Sequence, residues 1–263
     1  MSDALLIALG LGFAFLMTTL GSATVLLFRG DLKGSTQTVF LGFAAGIMIA
    51  ASVWSLIIPS IELSEEAGRV GWIPAVGGII IGAAFLFLLD HLIPHFHPAS
   101  GEMEGPRSNF KRSTLLVSAI TLHNIPEGMA VGLALAMAVQ SGGNPALIAS
   151  AFALALGIGI QNFPEGAAVA LPLRQAGLSA PRAFLVGVGS GAVEPLFGML
   201  AVLLASLIAP FMPWLLAFAA GAMLYVVVEE LIPEAQLSSV KHLGTISVLA
   251  GFLLMMTLDV ALG

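Results

Sequence analysis

The chain contains no cysteine. That excludes disulfides and thiolate metal sites, and it leaves no clue to redox compartment. Charge is scarce as well: Asp, Glu, Lys and Arg make up 9% of 263 residues, where a soluble domain carries about 25%. Soluble-core reasoning is therefore ruled out. The opening residues, Met-Ser-Asp-Ala-Leu, lack the basic region that begins a signal peptide. What the chain has instead is apolar sequence, at 58% hydrophobic with a mean hydropathy of +1.03. Runs of about 20 apolar residues with few charges are membrane-spanning helices. The fold class expected is an all-α polytopic membrane protein, in one transmembrane domain over 1–263.

Eight transmembrane helices are predicted, at 4–28, 36–58, 72–92, 113–139, 145–171, 181–209, 213–232 and 244–262. Proline and glycine punctuate their ends, at Pro59, Pro94, Gly142-Gly143, Pro172, Pro210 and Pro233. Arg29, Lys33, Arg107, Lys111, Arg112, Arg174, Arg182 and Lys241 all fall in alternate loops, and only Arg69 falls in the other set. Basic loops stay in the cytoplasm, so both termini are expected outside. The membrane expected is the bacterial cytoplasmic (inner) membrane. One loop is long. Residues 93–112, with Pro-His-Phe-His-Pro near their start, read as a flexible cytoplasmic segment.

Internal repetition is visible. Phe43-Ala-Ala-Gly-Ile-Met48 in span two matches Phe218-Ala-Ala-Gly-Ala-Met223 in span seven, and each span closes on Ile-Pro, at Ile58-Pro59 and Ile232-Pro233. Spans three and eight both end in Leu-Asp, at Asp90 and Asp259. Spans two and seven lie five crossings apart and run in opposite directions. The repeat is thus inverted, spans one to three against six to eight, with four and five as a pair between them: a 3+2+3 arrangement. Inverted repeats around interrupted helices mark transporters.

Two motifs occupy the middle of this plan. His123-Asn-Ile-Pro-Glu-Gly128 lies in span four and Gln161-Asn-Phe-Pro-Glu-Gly166 in span five. His123 is ten residues into its span, or ~15 Å deep at ~1.5 Å per residue. Glu127, Glu165 and Glu194 all fall in the apolar zone, where each ionisable residue costs about 3 kcal/mol. A divalent cation or protons would neutralise them. Residues four apart share a helix face, so His123 meets Glu127 and Gln161 meets Glu165. Asn124 and Asn162 lie about 100° round the helix. Pro126 and Pro164 leave the carbonyls of Leu122 and Ile160 without their usual donors, and Gly128 and Gly166 let the two helices approach. Either copy alone also fits a kinked helix with an interhelical hydrogen bond. Two copies, with Glu194 at the same depth, favour a buried metal site. Its carboxylate, imidazole and amide donors suit zinc, iron(II), manganese or cadmium.

The paired motifs resemble those of the ZIP family of divalent-metal transporters, in its bacterial GufA-like branch. The resemblance covers the whole chain. It implies uptake of zinc or a related ion into the cytoplasm, with the metal held as substrate between spans four, five and six and no prosthetic group. It also implies that His123, Glu127, Gln161 and Glu165 are the ligands. A second, adjacent position would involve Asn124, Asn162 and Glu194 and share Glu127 and Glu165. Some relatives carry aspartate where this chain has Asn162, and the amide argues against two tightly held metals. The family places an entrance near Met48, Ser55 and Glu62, where Glu65 and Glu66 fit either a cation-gathering role or an ordinary solvated acidic loop. On the inner side, Asp90, Glu229 and Glu230 read as exit ligands. His95 and His97 read as acceptors of the released ion or as part of a loop with no binding role.

Two other functions stay open at this point. An intramembrane metal-dependent hydrolase would also bury a His/Glu site, but the chain has no His-Glu-X-X-His. A sodium- or proton-driven solute carrier would share the repeats without needing the cluster. The partners expected are membrane lipids and the transported ion, with no nucleic acid. Gly42-X-X-X-Gly46, Gly78-X-X-X-Gly82 and Gly187-X-X-X-Gly191 fit either a homodimer contact or packing inside one bundle.

Overall fold

The computed structural model describes residues 2–27, 34–92, 95–96, 103–104, 112–175, 177–236, 240 and 242–262. Helices dominate. They are α1 (Asp3–Leu27), α2 (Gly34–Ala51), α3 (Ile58–Glu66), α4 (Trp72–Leu92), α5 (Arg112–Gln140), α6 (Pro145–Gln175), α7 (Ala180–Gly191), α8 (Val193–Ile208), α9 (Met212–Val226), α10 (Ile232–Ala235) and α11 (Leu243–Leu262). Most of the loop 93–112 lies outside the described residues. Within it, His95–Phe96 pairs antiparallel with Met103–Glu104.

Polarity is inverted relative to a soluble protein. Leu16, Leu20, Ile80, Leu203, Leu207 and Leu253 are exposed, while Thr18, Ser22, Ser52, Asn124, Glu127 and Gln161 are buried. An apolar exterior over a polar interior fits hydrocarbon as solvent. Six stretches among the described residues are long and apolar enough to cross a bilayer: Asp3–Leu27, Thr38–Glu66, Trp72–Leu89, Pro145–Leu171, Ala180–Leu231 and Leu243–Ala261. The chain is an integral, polytopic membrane protein.

Proline shapes three of the helical runs. The second predicted span does not end at Pro59. It passes through a π-helical turn, Ser52–Ile57, and continues as α3 to Glu66. A matching turn, Val227–Leu231, joins α9 to α10 ahead of Pro233. In each, the isoleucine before the proline donates its N–H five residues back, Ile58 to Val53 and Ile232 to Val227. A proline has no N–H for the residue four back, and its ring crowds that carbonyl; a wider turn relieves both. The third case lies in the sixth predicted span, which is interrupted. α7 ends at Gly191, Ala192 forms a turn, and α8 starts at Val193. Pro195 explains the break, since it cannot donate to the carbonyl of Gly191. α5 and α6, by contrast, stay helical through Pro126 and Pro164.

Helix pairing follows the small residues. α2 packs along α11, α4 along α9, α1 along α6 and α5 along α8. The contacts repeat. A Cβ on Gly46 of α2 would strike the Val248 carbonyl of α11, and one on Gly251 of α11 would strike the Phe43 carbonyl of α2. In the second pair, Gly221 of α9 meets the Ile79 carbonyl and Gly82 of α4 meets the Phe218 carbonyl. Each pair joins one helix from each repeat, and the two pairs make the same backbone approaches. The glycine stripes considered for dimerisation are occupied inside the chain: Gly42 and Gly46 face α11, Gly78 and Gly82 face α9, and Gly187 and Gly191 face Ser22 and Thr18 of α1.

Gly46→Ala is expected to destabilise the protein by about 1–3 kcal/mol, the usual cost of overpacking, and to lower its melting temperature in detergent. Gly12→Ala should not, because a Cβ there meets nothing within 4 Å.

Candidate metal centre

α5 carries Asn124 and Glu127, α6 carries Gln161, Asn162 and Glu165, and the first turn of α8 carries Glu194. All six side chains are buried. The motif glycines set the helix spacing, but not between α5 and α6 as expected. Gly128 lies against the Glu194 backbone of α8, and Gly166 lies against the Thr18 carbonyl of α1. Each motif therefore grips a helix from an outer repeat.

The amides are oriented through their hydrogens. Gln161 Nε2 donates to Glu127 Oε1 at 2.8 Å. Asn124 Nδ2 donates to the Ser190 carbonyl at 3.0 Å, and Thr121 Oγ1 donates to Ser190 Oγ at 3.0 Å. Asn162 Nδ2 donates to the Ala14 carbonyl at 3.3 Å and to Glu194 Oε2. Thr18 Oγ1 reaches Glu194 Oε1 at 3.1 Å. Among the described residues, the oxygens left buried without a hydrogen-bond partner are Asn124 Oδ1, Glu127 Oε2, Gln161 Oε1, Asn162 Oδ1 and Asp259 Oδ2. Four of the five belong to this one cluster. A buried oxygen without a donor costs about 1–3 kcal/mol, so several together mark a place where a donor or a cation belongs.

Charge points the same way. Glu127, Glu165 and Glu194 lie within electrostatic range of one another. Three carboxylates in a low-dielectric interior repel strongly unless something positive lies between them. His123 lies on α5 one turn before Glu127, but its side chain is outside the described residues. Among the described residues, no group of three or more His, Asp and Glu side chains is placed to hold a metal ion; the donors gathered here mix carboxylate and amide oxygens.

The expected entrance residues separate. Met48 is buried on α2. Ser55 donates to Asp259 Oδ1 at 2.6 Å, which ties the π turn to α11. Glu62, Glu66, Asn144, Ser150 and Asp259 line an open cleft of about 530 Å³. Of the expected exit residues, Glu229 is exposed and Glu230 half-buried on the second π turn. His97 and the side chains of Asp90 and His95 lie outside the described residues. The motifs gave no warning of Thr18, Ser190 or the Ala14 carbonyl. A polar residue deep in an apolar span was the available signal for the first two; a backbone carbonyl leaves none.

Comparison with known proteins places the chain. A family model described as "ZIP Zinc transporter" matches residues 107–259. "Zinc transporter ZIP11" of Homo sapiens is 37% identical, with 97% of this chain and 96% of that protein aligned. "Zinc transporter GufA" of Myxococcus xanthus is 38% identical over 94% of each. "Zinc transporter ZIPB" of Bordetella bronchiseptica is 40% identical over 97% of this chain and 81% of its own length.

The hydrogen-bond pattern gives a direct test. Gln161→Leu removes the donor from Glu127 Oε1 and is expected to destabilise the metal-free protein by about 1–3 kcal/mol, read as a lower melting temperature in detergent.

Proposed function

The chain belongs to the ZIP zinc transporter family, and from that premise we propose that it imports zinc into the cytoplasm through a site between α5, α6 and α8. The relatives named above are transporters, which favours transport over an intramembrane hydrolase. The observation that carries the reading is the set of unpartnered oxygens on Asn124, Glu127, Gln161 and Asn162, all buried side chains of α5 and α6. Amide and carboxylate oxygens suit a divalent cation, and cadmium, iron(II) and manganese are the competitors expected.

The primary position is formed by His123, Glu127, Gln161 and Glu165, and a second by Asn124, Asn162 and Glu194, with Glu127 and Glu165 shared. Asn162 brings no charge, so one ion at a time, or one ion with a weakly held second, fits the site. The ion enters past Glu62, Ser55 and Met48 and leaves past Glu229, Glu230 and Asp90, with His95 and His97 beyond.

The chain crosses the membrane eight times in a 3+2+3 arrangement, with both termini outside, in the bacterial inner membrane. Ala180–Leu231 has 52 residues, about 78 Å as helix, which is room for two crossings. Counting α5 as well raises the six stretches to eight. The matched glycine approaches of α2–α11 and α9–α4 support the inverted repeat. They also support a division for alternating access. In the first group, α1, α5, α6, α7 and α8, the pairs α1–α6 and α5–α8 interlock through glycine-to-backbone contacts; in the second, α2, α4, α9 and α11, the pairs α2–α11 and α4–α9 do; Gly157 of α6 meets the second group through the side chains of Met255 and Ile47. The first group moves against the second and carries the ion, with each interlocked helix pair travelling as a unit.

Glu127→Ala should abolish saturable zinc uptake in proteoliposomes while the protein stays folded; normal uptake by that variant would remove Glu127 from the site. Competition among zinc, cadmium, iron(II) and manganese at fixed pH gradients ranks the metals. The cysteine-free chain also permits a topology test. Ser2→Cys should react with an impermeant maleimide on intact cells and Ser108→Cys should not, and the reverse would invert the orientation.

A further inference from the structure

We propose that Thr18 of α1 is a positioning residue for Glu194: its hydroxyl fixes the carboxylate of the second metal position. This rests on the reading of Glu194 as a ligand. Thr18 is 3% exposed. Its Oγ1 lies 3.1 Å from Glu194 Oε1 and 3.3 Å from the Ala14 carbonyl. A hydroxyl has one hydrogen to give. The Ala14 carbonyl already receives Asn162 Nδ2 at 3.3 Å, and a carboxylate forms the stronger, charge-assisted bond. The hydrogen therefore goes to Glu194.

The other Glu194 oxygen takes Asn162 Nδ2. The carboxylate is thus held at both ends, by donors from α1 and α6. The terminal torsion of a glutamate is otherwise broad, and two donors stop it. Each oxygen keeps a second lone pair for an ion. Glu127 differs, with one oxygen on Gln161 and the other unpartnered.

The Thr18 side chain is itself pinned. A Cβ on Gly191 would meet Thr18 Cγ2, and one on Gly166 would meet the Thr18 carbonyl. The methyl thus lies against the end of α7, three residues before Glu194, and the carbonyl lies beside the residue that follows Glu165. Threonine in a helix divides between two χ1 states. The one adopted here puts the methyl beside Gly191 and the hydroxyl on Glu194.

The test is zinc uptake kinetics in proteoliposomes for Thr18→Val and Thr18→Ser, each alone and with Glu194→Gln. Thr18→Val is expected to raise the KM for zinc roughly tenfold, the worth of a hydrogen bond to a charged group, with the maximal rate changed much less. Thr18→Ser should restore the KM. Placed on Glu194→Gln, Thr18→Val should add nothing, because its effect runs through that carboxylate. An equal KM effect in both backgrounds would overturn the proposal, as would an unchanged or lowered KM in Thr18→Val while Glu194→Gln is impaired. Normal uptake by Glu194→Gln would instead remove Glu194 from the site, and the proposal would fall with the reading beneath it. Should Thr18→Val not fold, Thr18→Ala removes the hydroxyl without crowding Glu194 and takes its place.

Discussion

An amide anchored through its nitrogen to a protein acceptor has its oxygen held in a fixed place, and that constraint governs the centre of this molecule. Asn124, Gln161 and Asn162 donate to Ser190, Glu127, Ala14 and Glu194. Their oxygens stay buried without partners. Such an arrangement is unfavourable in an empty protein. It persists because the donors lock the amide planes, and the helices that supply the acceptors cannot withdraw: Gly128 and Gly166 bring α8 and α1 to backbone contact beside the site. Close helix packing and an incompletely satisfied interior are two sides of one design.

The same packing builds the frame. α2 with α11 and α9 with α4 use equivalent glycines and equivalent carbonyls. Each of α2 and α9 is followed by a π turn ahead of an Ile-Pro. Lipid gives helices no hydrophobic reason to associate, so small residues and short backbone distances do that work. A stripe in which one extra methyl meets a carbonyl holds its register firmly. The motif helices α5 and α6 then pack against two helix pairs that are each difficult to deform.

Much of this was legible in the sequence because it depends on spacing. Apolar runs located the helices. The four-residue interval put Glu127 and Glu165 on defined faces, and the recurrence of Phe-Ala-Ala-Gly matched the paired contacts. The reading failed where the determinant was a partner rather than a pattern. Gly128 and Gly166 looked suited to each other, but a glycine says only that something comes close, not which helix. Pro59 looked like a span end, yet a π turn absorbed it and the helix ran on to Glu66. No spacing singles out Thr18, since its meaning depends on Glu194, 176 positions away.

The interruption at Ala192 has a mechanical consequence. Pro195 has no N–H to give the Gly191 carbonyl. A Cβ on Gly191 would meet the Thr18 side chain of α1, and one on Gly128 of α5 would meet the Glu194 backbone. The turn therefore falls where two other helices reach the chain within three residues of each other. A movement of either helix is felt at once by the buried carboxylate of Glu194.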